Sequence, residues 1–206
     1  MNIEIKISKK PIEYTKAIAF LEERLVKLKN FEADELIWIL EHPEIYTAGI
    51  NYKNKEILDK NIKIINTNRG GKITWHGPGQ IICYFVIDLN KRNRDIRKFI
   101  LKLEKIIIET LKEYKIKSFS DRKNIGIWVN HKNKIKKIGA IGIKVKNWIA
   151  YHGFSININN ELKFYKKIIP CGINNREIIN LINIKNQKYD SFKKVIIKNF
   201  IKYLKV

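Results

Sequence analysis

Apolar positions along the chain recur with two different periods, and together these predict a mixture of strands and helices. Residues 3–7, IEIKI, alternate and predict a strand. Pro11 is suited to the first position of a helix, and Ala17, Ile18, Leu21, Leu25 and Leu28 follow at helical spacing, so an amphipathic helix is expected to about Asn30. ELIWILE (35–41) is a short apolar run and reads as a buried strand, followed by EHPEIYTAGI, a loop marked by Pro and Gly. IICYFVIDL (81–89) reads as a second buried strand. A long helix is predicted over residues 95–116, with Ile96, Phe99, Ile100, Leu103, Ile107, Leu111 and Tyr114 inward and Asp95 as its cap. Residues 125–129, 136–145 and 147–159 are rich in β-branched and aromatic side chains and predict antiparallel strands joined by tight turns. ELKFYKKI (161–168) predicts one short helix stopped by Pro170. In the tail, 191–206, Phe192, Val195, Ile196, Phe200 and Leu204 define an amphipathic helix expected to pack on the core. Strands and helices mix without regular βαβ alternation. The expected fold is therefore α/β of the α+β kind, a mixed sheet flanked by helices, in a single domain over residues 1–206.

Composition narrows the class. The chain has 206 residues, 45% of them hydrophobic, enough for one sizeable core. No apolar run approaches the roughly 18 residues of a membrane span, and the first residues, MNIEIKISKKPIEY, lack an apolar stretch of signal-peptide length. A cytoplasmic protein is expected, with no membrane partner. The two cysteines, Cys83 and Cys171, make no disulfide framework. The net charge of +22 suggests nucleic acid at first sight. However, the lysines are spread along the chain, Ile, Lys and Asn are all heavily used as an AT-rich genome would produce, and there is no zinc-finger spacing or RNP-type motif. The same charge suits an acidic protein partner.

The densest chemical signal is RGGKITWHGPGQ, 69–80, which holds four of the ten glycines. It is not a nucleotide loop. G-x-x-x-x-G-K-S/T fails because His76 stands five residues after Gly71 and because Ile73 follows Lys72; G-x-G-x-x-G fails as well. Glycines interleaved with Arg, Thr, Trp and His instead suit a segment that brings backbone close to a ligand. Cys83 sits within an apolar strand and reads as a small core residue. Cys171, in IIPCGI, lies between a proline and a glycine, a setting that suits a positioned thiol. Such a thiol needs a base or cation to become a thiolate. The candidates are His42, His76, His131, His152 and the lysines, among which Lys137 is followed directly by apolar residues and glycines. The histidines have no metal-ligand spacing, so neither metal nor cofactor is expected.

RGGKITWHGPGQ, KIGAIGIKVKNWIAYHGFSIN and PCGI, in this order and preceded by EHPEIYTAG, resemble the lipoyl(octanoyl) transferases. The likeness runs from about Glu41 to Ile173; the following NNREIINLIN departs from the family pattern. The resemblance implies a domain similar to the catalytic domain of biotin and lipoate ligases. It also implies transfer of octanoyl from acyl carrier protein to a specific lysine of a lipoyl domain, in 2-oxoacid dehydrogenase E2 subunits and glycine cleavage H protein, by a monomeric enzyme. On this likeness Cys171 is the nucleophile and Lys137 its catalytic partner. Substrate is held by Arg69, Gly70, Gly71, Lys72, Ile73, Thr74, Trp75 and His76, by Ala140, Ile141 and Gly142, and by Gly153, Phe154 and Ser155. An ATP-dependent lipoate or biotin ligase of the related fold is the alternative, and a thiol at Cys171 argues against it.

Overall fold

The computed structural model describes residues 2–170 and 177–204, so Cys171 lies outside the described residues. The centre is a seven-stranded mixed sheet. Its strands are β1 (Ile3–Ile7), β2 (Glu35–Leu40), β6 (Gln80–Asp88), β10 (Ile149–Asn157), β9 (Lys134–Lys146), β8 (Ile127–His131) and β7 (Ser118–Ser120), in that spatial order. β1 and β2 are parallel and every other pair is antiparallel. The expected mixed sheet flanked by helices is what forms.

The period of two decides which layer each strand residue joins. Leu36, Trp38 and Leu40 of β2 and Ile82, Tyr84 and Val86 of β6 face helix α1 (Tyr14–Lys29). Ile37 and Ile39, with Ile81, Cys83, Phe85 and Ile87, face the opposite layer, built by α2 (Ile96–Glu113) and α4 (Phe192–Leu204). Both faces of these strands are covered, which is why they read as continuous apolar runs. The tail helix packs into this core through Phe192, Ile196, Phe200 and Leu204. Among the described residues no helix is long and apolar enough to cross a membrane.

Two hairpins join the last strands as the pattern predicted. Lys132 and Asn133, and then Asn147 and Trp148, all have positive φ between 50° and 60°, the two-residue geometry whose twist matches flanking strands. Asp95 caps α2 by accepting from the Lys98 N–H at 2.9 Å.

The structure corrects four expectations. Helix α1 starts at Tyr14, not at Pro11. The backbone of Ile12 is already committed elsewhere: its N–H donates to Glu41 O at 2.8 Å and its carbonyl accepts from His42 Nδ1 at 2.6 Å. Ile96 of α2 is 39% exposed, because it stands at the helix's first position and overhangs the core. ELKFYKKI gives only a short 3-10 turn over Lys163–Lys167. The loop expected at EHPEIYTAGI contains β3 (Ile45–Ala48), which with β4 (Ile64–Asn66) and β5 (Ile73–His76) forms a separate three-stranded sheet, order β4-β3-β5.

Candidate active site

β5 runs through the middle of RGGKITWHGPGQ, and alternation along it sorts the residues of that motif. Ile73 and Trp75 point away from the large sheet into a small apolar cluster with Tyr46, Tyr165 and Ile168. Thr74 and His76 point toward the large sheet and line a narrow pocket.

The pocket floor is made by two cross-strand rows. Ile82, Ser155 and Ala140 lie opposite one another across β6, β10 and β9; Tyr84, Gly153 and Gly142 form the next row. In each row β6 supplies the one bulky member. Small residues on β9 and β10 leave a trough, and Ile82 and Tyr84 wall one side of it. Arg69, Gly71, Lys72, Ile141 and Phe154 complete the lining. The glycine loop approaches β9 closely: Gly70 N–H donates to Ile143 O at 3.1 Å, and a Cβ on Gly142 would stand 3.0 Å from Gly70 O. No side chain fits between these two backbones.

Of the fourteen residues that the resemblance assigned to substrate, eleven line this pocket. Gly70 lines an adjoining groove instead, and Ile73 and Trp75 are excluded by strand alternation. Those two support the wall from behind.

Two residues of the lining, Ile82 and Tyr84, were not foreseen, and His152, a candidate base in the sequence, lines it as well. Tyr84 and His152 belong to a buried polar network under the trough. His42 holds Ile12 O through Nδ1–H, so its Nε2 accepts from the Tyr84 hydroxyl at 2.9 Å. His76 Nδ1 donates to Gln80 Oε1 at 2.6 Å, since the Gln80 amide nitrogen is already spent on Asn157 and Tyr165. His152 Nε2 meets Asn68 Oδ1 at 2.8 Å, from a backbone held at φ 68° in the middle of β10. Arg69 reaches Thr47 with Nη2, at 2.9 Å to both its carbonyl and its hydroxyl. Burial is the first cause that depresses all three histidines, His42 to about 4 and His76 and His152 to about 3, with the Arg69 charge a further cause at His76 and His152. All three are neutral near pH 7. The only sequence signal for this network was the WHG and YHG parallel, where each histidine precedes a glycine.

Lys137 is 4% exposed and sits beside the trough, not in it. A bulge places it there. Ile127 pairs with Gly139 and Trp128 with Lys137, so Ile138 is the extra residue of β9, and Lys137 and Ile138 are both buried. Lys137 Nζ donates to Ile125 O at 3.2 Å and lies 5.3 Å from the Trp128 ring centre. Gly126, at φ 139°, makes this possible, because a Cβ there would stand 2.5 Å from Lys137 Cε. Lys72, by contrast, pairs with the buried Glu56 carboxylate at 2.9 Å.

The chain leaves the described residues at Pro170 and returns at Glu177. The return is anchored on Lys137: its N–H donates to Glu177 O at 2.8 Å and its carbonyl accepts from Ile179 N–H at 2.9 Å. The Glu177 carboxylate is gripped by Lys134 and Lys136. Cys83 is fully buried on β6, and burial pushes its thiol well up, which leaves it unsuited to nucleophilic work. Among the described residues no group of His, Cys, Asp and Glu could hold a metal ion.

Residues 13–201 match the family described as lipoyl protein ligase A/B catalytic domain. A protein of Ehrlichia ruminantium named octanoyltransferase is 42% identical over 203 residues, 97% of this chain and 98% of that protein. One of Wolbachia pipientis, with the same name, is 46% identical over 168 residues, 81% of this chain and 82% of that protein. Among solved structures, a lipoate-protein ligase A bound with ATP aligns at a TM-score of 0.78 and 14% identity, covering 100% of this chain and 86% of its own. The biotin protein ligase of Aquifex aeolicus aligns at 0.54 and 15%, over 100% of this chain and 70% of its own. These two likenesses concern the fold. With a small-residue trough capped by RGGKITWH, a buried lysine on the neighbouring bulge and relatives above 40% identity over nearly its full length, the chain belongs to the octanoyltransferases of the lipoyl protein ligase A/B catalytic domain family.

Proposed function

We propose that this chain moves an octanoyl group from the thiol of acyl carrier protein to a lysine of a lipoyl domain, as one catalytic domain and without ATP. The observation that carries this reading is the trough walled by Ile82 and Tyr84 and floored by small residues of β9 and β10, beside the groove that holds the buried Lys137, on whose backbone the chain re-anchors after Cys171. The acyl chain occupies the trough, and its thioester carbonyl lies at the end next to Lys137.

The Cys171 thiolate attacks the donor carbonyl carbon, forming a C–S bond and a tetrahedral oxyanion. Collapse breaks the bond to the carrier sulfur, which leaves as thiolate and takes up a proton. The product is an acyl-enzyme thioester similar in energy to the donor. The neutral amine of the acceptor lysine then attacks the same carbon. The second collapse expels the Cys171 thiolate, the extra proton leaves the nitrogen, and a thioester has become an amide, which drives the step forward. Lys137 favours the thiolate as a nearby ammonium and relays the protons. The neutral histidines under the trough do not compete for those protons, because depressed basicity keeps them uncharged. Backbone N–H groups near Cys171 or Gly142 serve as oxyanion donors.

Mass spectrometry after mixing with octanoyl-carrier, in the absence of acceptor, tests the covalent path. An octanoyl group is expected on the peptide that contains Cys171. Strict dependence of transfer on ATP, with no acyl-enzyme, overturns the reading in favour of a ligase.

A further inference from the structure

The trough has a neighbour. A larger groove shares Gly71, Lys72, Ile141 and Gly142 with it and continues outward from Lys137. Its outer part is lined by Asn51, Lys123, Asn124, Ile100 and Ile125. The two cavities adjoin as an inner and an outer limb, divided where the glycine loop crosses β9 at Gly70 and Gly142. The inner limb suits hydrocarbon. The outer limb differs in kind, with two side-chain amides, two isoleucines and, toward solvent, the ammonium of Lys123, which makes no ion pair among the described residues.

A hydrocarbon chain ends at its thioester, so an octanoyl group alone does not explain the outer limb. We propose that the outer groove holds the thiol arm of the donor, an amide-bearing chain that ends in a phosphate, with Asn51 facing the arm's amides and Lys123 its phosphate. This inference rests on the proposed transfer reaction for the direction of the arm. The chemistry of the groove supports it independently. An amide-rich chain needs polar partners spaced along an otherwise apolar wall, and a phosphate needs a cation that no carboxylate has already neutralised. Lys72 fails the second test, since Glu56 holds it at 2.9 Å; Lys123 passes it. The segment that carries Lys123 is fixed: Asp121 accepts from both the Lys123 N–H at 2.9 Å and the Asn124 side chain at 3.0 Å, and Asn124 O accepts from Trp128 Nε1. The ring that floors Lys137 thus also anchors the loop that presents Lys123, which links the groove's outer end to the reactive centre.

The test compares two donors that differ by one group, octanoyl-phosphopantetheine and octanoyl-pantetheine, against a fixed lipoyl-domain acceptor. The parent is expected to prefer the phosphorylated donor. Lys123→Glu should lower the ratio of the two kcat/KM values about tenfold or more, the scale of one charge-assisted contact reversed, through KM and not kcat. Lys123→Arg should restore most of that ratio. An unchanged ratio in Lys123→Glu, or an equal loss on both donors, overturns the assignment. Binding keeps this test separate from the transfer reaction. 4′-Phosphopantetheine alone, titrated into the labelled protein, should move the amide signals of Asn51 and Lys123, and Lys123→Glu should abolish the shifts. Shifts elsewhere only, or none, overturn the groove even if transfer proceeds. Shifts at these residues without any transfer support the groove and sink the reaction.

Discussion

Acid should weaken this protein through the histidines beneath its trough, and the size of the effect follows from where they sit. His42, His76 and His152 are buried and depressed from 6.5 to about 4, about 3 and about 3. In the unfolded chain each accepts a proton as pH falls through 6.5; in the folded chain each refuses it until pH 3–4. The unfolded state therefore binds more protons throughout that window, and stability falls as pH drops. Well above pH 6.5 the three sites contribute no slope. Between pH 7 and pH 5 each unfolded histidine gains about 2 kcal/mol by protonation while its folded counterpart gains almost nothing, so the three together remove on the order of 5 kcal/mol. That is a large part of the roughly 5–15 kcal/mol that holds a domain of ordinary stability. Urea unfolding at pH 7.5, 6 and 5 measures it directly. His76→Gln, which keeps a polar group near Gln80, should recover about a third of the pH-dependent loss, whatever it does to stability at pH 7.5. A stability that stays flat from pH 7 to pH 5 would refute the reasoning, as would a His76→Gln variant that keeps the parent's full loss.

Two further predictions concern the reactive groups. Cys171→Ala should abolish transfer and acyl-enzyme formation while Cys83→Ser, though destabilised by a hydroxyl placed in the core, still transfers; equal turnover by Cys171→Ala and the parent would remove the thiol from the mechanism. Gly126→Ala should displace Lys137 and cost about 2 kcal/mol or more, because its Cβ meets Lys137 Cε and its φ of 139° strains any L side chain; a denaturant midpoint and an iodoacetamide rate at Cys171 both equal to the parent's would show that Lys137 does not depend on this glycine.

Long elements were legible in the sequence, and short ones were not. β6 and α2 announce themselves through nine or more residues of consistent period. β3, β4 and β5 have three or four residues each, among Gly and Pro, and are held by pairing across the small sheet, which no local pattern records. The trough was legible as a set of motif residues, but not its floor. The row of Tyr84, Gly153 and Gly142 draws on three strands separated by up to sixty-nine positions, and only register brings them together. Nor does any pattern announce that Lys137 turns inward while Lys136 stays near the surface. One extra residue, Ile138, decides that.

The anchoring of Glu177 and Ile179 on Lys137 has a kinetic consequence. β9 pairs with β10 only from Gly139 onward, so before that point its free edge is closed, among the described residues, by one parallel rung. A rung of two hydrogen bonds at the end of a sheet opens far more readily than the strands behind it. The Lys137 amide hydrogen exchanges with solvent only when that rung opens. Its exchange rate is thus a clock, built into the backbone of the buried lysine, for how often the chain that follows Cys171 lets go.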